Sequence, residues 1–315
     1  MNNPLDIEFD IQTTGGAVIA SQTSTLVIRG LPMSFIRQSV NFGGCLCTIK
    51  AGFSNIGLPL ATVQSVHYNM ILQGQIYVPY ANWQGVNQSL NLGLINYSPV
   101  LQPNDAIQLN GEKGEKLHDV ILRGLEGAFQ GRRIQMSVVG DLVLPEAVSS
   151  VPFLTLGGYS AKINQLSRAI AGRDDYSGID IFVQKDFITV TDFVHPMSGT
   201  DQVITLEELI GQPTWDSWSE ISVKVPLRAD LNVGDALTIS GPGQRAIYTP
   251  YGGAGAVLTT NGAVGQIVHA KGVTFSGEFI IRSVRHVGAF RNPSPDSWVT
   301  IITAVARMIA PEGAG

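Results

Sequence analysis

The residues with the widest chemical range are two cysteines, Cys45 and Cys47, and five histidines, His67, His118, His195, His269 and His286. Two cysteines two apart fall on one face of a strand. That spacing suits neither a disulfide nor a four-ligand zinc site, so buried free thiols in a reducing compartment are expected. None of the histidines has a second His, Cys or carboxylate at H-E-x-x-H or other metal-ligand spacing. Gly241-Pro-Gly243 and Gly252-Gly253-Ala-Gly255 have the glycine content of phosphate loops. Neither leads from a strand into a helix with Lys-Ser/Thr, and Pro242 lacks an amide donor. Gly157-Gly158-Tyr159-Ser160 opens a helix whose amides could hold an anion, but a plain, tight helix entry is much the commoner explanation. Asp174-Asp175 reads as a solvated turn, and no G-x-S-x-G elbow exists. A dispersed carboxylate pair of a hydrolase leaves no local signature and stays open. The expectation is a non-enzyme with no cofactor and no metal.

The stretch Tyr77-Val-Pro-Tyr80-Ala-Asn-Trp83 carries a different chemistry. Exposed Tyr and Trp favour interfaces, so Tyr77, Tyr80 and Trp83 are the candidate partner-contact residues. Core filling is the competing reading, because aromatics dominate cores too.

These residues must be positioned mainly by strands. Leu5, Ile7, Phe9 and Ile11 alternate with polar residues, and a longer alternation runs from Val66 to Val78. Its length predicts a long, twisted or bulged strand. Leu26 with Ile28, Cys45 to Ile49 and Leu90 to Leu94 add further strands, punctuated by Gly and Pro. Residues 1–112 therefore read as one antiparallel β-domain. Residues 113–196 change pattern. Leu117, Ile121, Leu125 and Phe129 form a helical stripe, although Gly124 and Gly127 weaken it. Ile134 to Leu144 reads as a strand. A second helix has Ser160 as N-cap, Ile163, Leu166 and Ile170 on its buried face, and Gly172 at its end. Ile179 to Phe193 reads as a hairpin turning at Gln184-Lys185-Asp186. This segment is a small α+β domain. Residues 197–315 return to period two after a capping box at Thr205-Leu-Glu-Glu208. Residues 241–265 read as a Gly-rich loop, and the apolar face switches near Val284, which predicts a bulge. The first and last segments share a pattern, but no sequence repeat joins them.

Composition agrees with a strand-rich chain. Of 315 residues, 44% are hydrophobic and only 14% charged, with a net charge of −5. Average soluble proteins carry roughly 25% charged residues. This excludes a disordered chain and a dedicated nucleic-acid binder. Low charge suits a surface covered by partners, and strand content lowers Lys and Glu as well. The first residues lack a basic, apolar leader, and no apolar run approaches membrane-spanning length, so no membrane insertion is expected.

Four stretches, in order, carry a resemblance. They are Thr25-Leu-Val-Ile-Arg-Gly-Leu31; Leu72-Gln-Gly-Gln-Ile76 followed by Tyr80-Ala-Asn-Trp-Gln84; Val138-Val-Gly-Asp through Pro152-Phe153 to Lys162-Ile-Asn-Gln-Leu166; and Ile281-Arg-Ser-Val-Arg-His286-Val-Gly288 with Asp296-Ser-Trp298. Together they resemble the baseplate hub proteins of tailed bacteriophages. Ala51-Gly52-Phe53 stands where that family often has Tyr-Gly, and residues 250–265 are Gly-rich where it is Pro-rich. The resemblance implies two antiparallel β-barrel domains of the tail-tube type with a small α+β domain between them. It implies a homotrimer in the virion, assembled in the host cytoplasm. The tail tube protein would sit above and the central spike below, with the tape measure protein and the baseplate wedge or distal tail proteins as further partners. DNA would pass transiently, without sequence-specific binding. Two other readings stay open: a receptor-binding adhesin, from the Gly-rich loops and the Tyr/Trp residues, and a tail-associated cell-wall hydrolase.

Overall fold

The computed structural model describes residues 5–15, 24–53, 68–85, 87–96, 106–197, 199, 201–217, 219–240, 247–248, 257–258, 277–294 and 296–307. The first part holds β1 (Asp6–Gln12), β2 (Thr14–Gly15), β3 (Ser24–Arg29), α1 (Met33–Arg37), β4 (Leu46–Ala51), β5 (Asn69–Gln84) and β6 (Asn87–Ile95). The middle holds β7 (Ile107–Gly111), α2 (Leu117–Ala128), β8 (Arg133–Ser137), β9 (Val148–Phe153), α3 (Leu156–Ala171), β10 (Asp180–Gln184) and β11 (Phe187–Thr191). The last part holds β12 (Asp201–Thr205), β13 (Thr214–Trp215), β14 (Glu220–Pro226), β15 (Ala236–Ser240), β16 (Ile247–Tyr248), β17 (Val257–Leu258), β18 (Gly277–Ala289) and β19 (Trp298–Ala306). The fold is mainly β with a small α+β insert, as the alternation and the two helical stripes require.

One sheet of 11 strands dominates, in the order β13-β14-β19-β18-β1-β3-β6-β5-β4, with β15 on β18 and β12 on β15. Strands from both ends of the chain thus share backbone hydrogen bonds, through β1 and β18. Within this sheet lie two five-strand sets. The first is β1-β3-β6-β5-β4 and the second β13-β14-β19-β18-β15. In chain order both run first–second–fifth–fourth–third across the sheet, and every pairing within them is antiparallel.

Each set buries one face. Leu26, Leu72, Ile76, Leu92 and Leu94 anchor the first core, together with Leu227 and Ala229 from the last part of the chain. Ile221, Val223, Leu237, Phe279 and Ile302 anchor the second, together with Phe182 from the middle. The bulge expected near Val284 lies between Ile281 and Ser283.

The middle part has its own core. Leu117, Ile121, Leu125 and Phe129 are buried, as their spacing requires. A Cβ on Gly124 would meet the Gln108 carbonyl oxygen at 2.6 Å, so glycine is what lets α2 close on β7. Thr155, not Ser160, caps α3, its Oγ1 accepting from the Gly158 N–H at 3.1 Å. Ser160 is buried inside the helix, where its Oγ accepts from the Ile181 N–H at 3.2 Å. Gly172 ends α3 with φ 61°, a left-handed conformation that glycine adopts without strain. The strand expected over 134–144 stops at Ser137; Leu142 and Leu144 are buried through an isolated bridge of Val143 to Lys116 instead.

β7 pairs with β9, and β2 with β10, so residues on the N-terminal side of 113 contribute strands to the middle part. The β10–β11 hairpin is also tied to the loop before β15. Lys185 Nζ donates to the Ala229 carbonyl and to Asn232 Oδ1, each at 2.6 Å. Burial pulls that ammonium down to about 8.

Candidate assembly edge

The two sets meet the same local problem at the same place. In the first, the Gly44 N–H donates to the Ile76 carbonyl at 2.8 Å, and the Ile76 N–H donates to the Cys45 carbonyl at 2.9 Å. In the second, the Gly234 N–H donates to the Ile281 carbonyl at 2.8 Å, and the Ile281 N–H donates to the Asp235 carbonyl at 3.0 Å. Gly44 and Gly234 both have φ above +80°. One residue further on, each long strand bulges against its hairpin partner, between Ile76 and Val78 and between Ile281 and Ser283.

Beyond the bulge the two diverge. Residues Arg285–Ala289 of β18 pair with β1. Among the described residues, 78–84 of β5 pair with β6 alone, because β4 leaves β5 at Gln75. The Ser39–Phe42 turn and Gly43 approach this strand near Pro79; from Tyr80 on, the outer side of the half-strand meets no strand among the described residues, the type of surface that recruits another strand.

Tyr77, Tyr80 and Trp83 all decorate this edge. They are 61%, 51% and 66% exposed, which excludes the core-filling reading. The bulge explains how. Ile76 faces Leu94 in the core, Tyr77 is the extra residue, and Val78 and Tyr80 then oppose Gly93 and Asn91 on the other face. Trp83 lies opposite Gln88 near the hairpin tip, and its Nε1 donates to the Gly85 carbonyl at 2.7 Å. The sequence reading missed Val78, which alternation assigns inward but which is 46% exposed beside the aromatics, and Leu46, exposed on β4 opposite Gln75. It also missed β13, a two-residue strand at the opposite end of the sheet whose outer side pairs with no strand among the described residues.

The face of the sheet opposite the core carries paired charges. Arg29 contacts Glu8 at 2.7 Å and Asp6 at 3.3 Å, and the Arg29 hydrogen bond holds the Glu8 carboxyl below its ordinary value. Arg285 Nε donates to Asp10 at 2.8 Å, and Lys224 reaches Asp296 at 3.0 Å. The acids on these strands are therefore largely matched by basic neighbours.

Among the described residues, reactive side chains do not converge on a metal-type cluster: no group of three or more His, Cys, Asp or Glu is placed to hold a metal ion. His118 contacts its neighbour Asp119, and the His195 backbone carbonyl accepts from Ser137. His286 is buried, with Nδ1 2.9 Å from Thr300 Oγ1, and burial lowers it to about 3. The cysteines are not the buried pair expected: Cys45 is exposed and Cys47 half-buried, because this strand lies near the sheet margin. Burial raises the Cys47 thiol. His67, His269 and both Gly-rich loop motifs lie outside the described residues. No helix among the described residues is long and apolar enough to cross a membrane.

No protein-family model matches the chain, and no curated protein matches it. Among the solved structures that the chain resembles are three of tail or secretion-system proteins. One is the E. coli c3393 protein, a type VI secretion system component described as similar to T4 bacteriophage tail proteins; it is 10% identical, with TM-score 0.48 over 99% of this chain and 77% of that one. A tail protein from Neisseria meningitidis MC58 is 9% identical, with TM-score 0.49 over 96% of this chain and 91% of its own. The 43 kDa tail protein of prophage MuSo2 from Shewanella oneidensis is 7% identical, with TM-score 0.42 over 96% and 98%.

Proposed function

We propose that this chain is a structural component of a bacteriophage tail: a baseplate hub that acts as a homotrimer, caps the tail tube and carries the central spike. The observation that carries this reading is the duplicated five-strand set with one connectivity and one register. A chain with two like sheets turns three copies into six similar surfaces. Such an object can mate with a sixfold tube on one side and a threefold spike on the other. Strand edges at both ends of the sheet that pair with no other strand among the described residues provide the means of joining copies.

The remaining partners follow from that role. Tube protein would sit above, spike below, and wedge or distal tail proteins around the outside, with the tape measure protein threaded through the bore. Net charge of −5 per copy disfavours phosphate binding, so DNA would slide past rather than stick. The role is mechanical rather than catalytic. Mass photometry of the purified chain and negative-stain imaging of tail tips test it together. Three-copy rings at the tube's end are the expected result. A chain that stays single and is absent from tail tips rules the hub out.

A further inference from the structure

The register of the two sets is matched residue by residue. Asp10 opposes Thr25, Thr25 opposes Gly93, and Gly93 opposes Val78, the residue just past the first bulge. Thr214 opposes Ser222, Ser222 opposes Thr303, and Thr303 opposes Ser283, just past the second. Thr214 is therefore the counterpart of Asp10. Counting on from the bulges, Ala81 and Asn82 are the counterparts of His286 and Val287.

Within one chain, the first set's outer strand docks on the second set's long strand. Asp10 opposes Val287 and Ile11 opposes His286. The reciprocal junction, β13 on residues 80–84 of β5, is not made, and neither edge pairs with another strand among the described residues. Its two halves lie at opposite ends of the same sheet. A head-to-tail contact of this kind closes rings when the rotation allows.

We propose that β13 of one copy pairs antiparallel with the open half of β5 in the next copy, with Thr214 opposite Asn82 and Trp215 opposite Ala81. The proposal rests on the ring reading above and names the strands that join its copies. The occupant is a second copy because the chain already contains this junction once, built from the counterpart strands. The side chains agree. A Cβ on Gly288 would lie 2.3 Å from the Phe9 ring, so any side chain there would force that ring to move. The counterpart of Gly288 is Trp83, and the residue before Thr214 is Pro213, smaller than the Phe9 that precedes Asp10. The bulky residue has moved to the other strand. Tyr80 and Trp83 would pass from water into this junction, which accounts for large aromatics on a bare edge.

The hydrogen-bond phase selects the test pair. The Thr13 N–H donates to the Val284 carbonyl, and the Phe290 N–H to the Ile7 carbonyl, both at 2.9 Å. Backbone groups of 284, 286, 288 and 290 thus face β1, and Val287–Asp10 is a non-hydrogen-bonded pair, whose side chains lie closest. Asn82–Thr214 inherits that geometry.

Two differently tagged chains, one carrying Asn82→Cys and the other Thr214→Cys, both with Cys45→Ser and Cys47→Ser, are co-expressed and mildly oxidised. Because each chain holds one cysteine, a mixed-tag disulfide arises only between copies. The expected yield is at least tenfold above a control pair shifted by two residues, Gln84→Cys with Thr214→Cys. A second variant, Ala81→Pro, removes an N–H aimed at the open edge and leaves the β6 hydrogen bonds intact. It should weaken assembly at least tenfold while circular dichroism stays unchanged. Rings that form with no preference for the Asn82–Thr214 pair, or that survive Ala81→Pro, overturn this pairing and leave the ring reading standing. A wild-type chain that stays single overturns both.

Discussion

The two five-strand sets are built alike and end differently. In the second, residues 285–289 of the long strand are covered by β1, and His286 on the covered stretch is 2% exposed. In the first, the matching stretch has no strand on its outer side among the described residues and carries aromatics more than half exposed. The outer strands diverge in step: β1 has seven residues and two partners, β13 two residues and one. Strand length here tracks pairing, since an unpaired edge gains no ladder hydrogen bonds to offset the entropy of staying extended.

The sharpest way to break this comparison is to disturb the covered junction and leave the bare one alone. Gly288→Ala places a methyl group against the Phe9 ring. Overpacking of that kind should cost about 2–3 kcal/mol, read from urea unfolding. At the counterpart position, Trp83→Ala should stay within about 0.5 kcal/mol for the isolated chain, as exposed substitutions do. Equal losses at the two sites would mean that the bare edge is already packed against something.

Much of this architecture was legible in the sequence, and the reason is local. Alternation located β1, β3, β5 and β6, the four-residue stripe located α2, and the face switch located the bulge in β18. What stayed hidden was pairing. Nothing in Asp10 or Val287 announces a partner far along the chain, and the duplication hides because counterparts differ in residue type. Leu26 matches Val223, Leu92 matches Ile302 and Cys47 matches Leu237. The cap of α3 was misplaced because Gly157-Gly158 looks like a turn, whereas both glycines lie inside the helix behind Thr155. Tyr77, Tyr80 and Trp83 stood out by type; that all three lie on the stretch of β5 past its last pairing with β4 follows only from where β4 ends.

Acid provides a second contrast. Burial, then the nearby Lys185 charge, lowers His286 from its ordinary 6.5 to about 3. The folded state therefore binds fewer protons than the unfolded state between those values. Stability from this group is intact above pH 6.5 and falls as pH drops toward 3, by at most about 1.4 kcal/mol per unit. His286→Gln, which keeps a partner for Thr300 Oγ1, should flatten that slope between pH 6 and 5, where carboxylates contribute little. Ala81, the counterpart, cannot titrate. Assembly at the bare edge should accordingly ignore pH over the same interval, as sedimentation can show.

The smallest effect separates the two junctions by charge. Arg285 and Asp10 pair across the covered junction, both partly exposed. Their counterparts, Tyr80 and Thr214, carry none. Surface pairs contribute roughly 0–1 kcal/mol and are screened by salt. Asp10→Asn should therefore lower stability by less than about 1 kcal/mol in dilute buffer and by almost nothing in 1 M NaCl. A junction formed through Tyr80, Trp83 and Thr214 has no such charge to screen, so its rings should persist in 1 M NaCl. Rings that dissolve there are held by ions elsewhere, and the likeness of the two sets would then stop at their backbones.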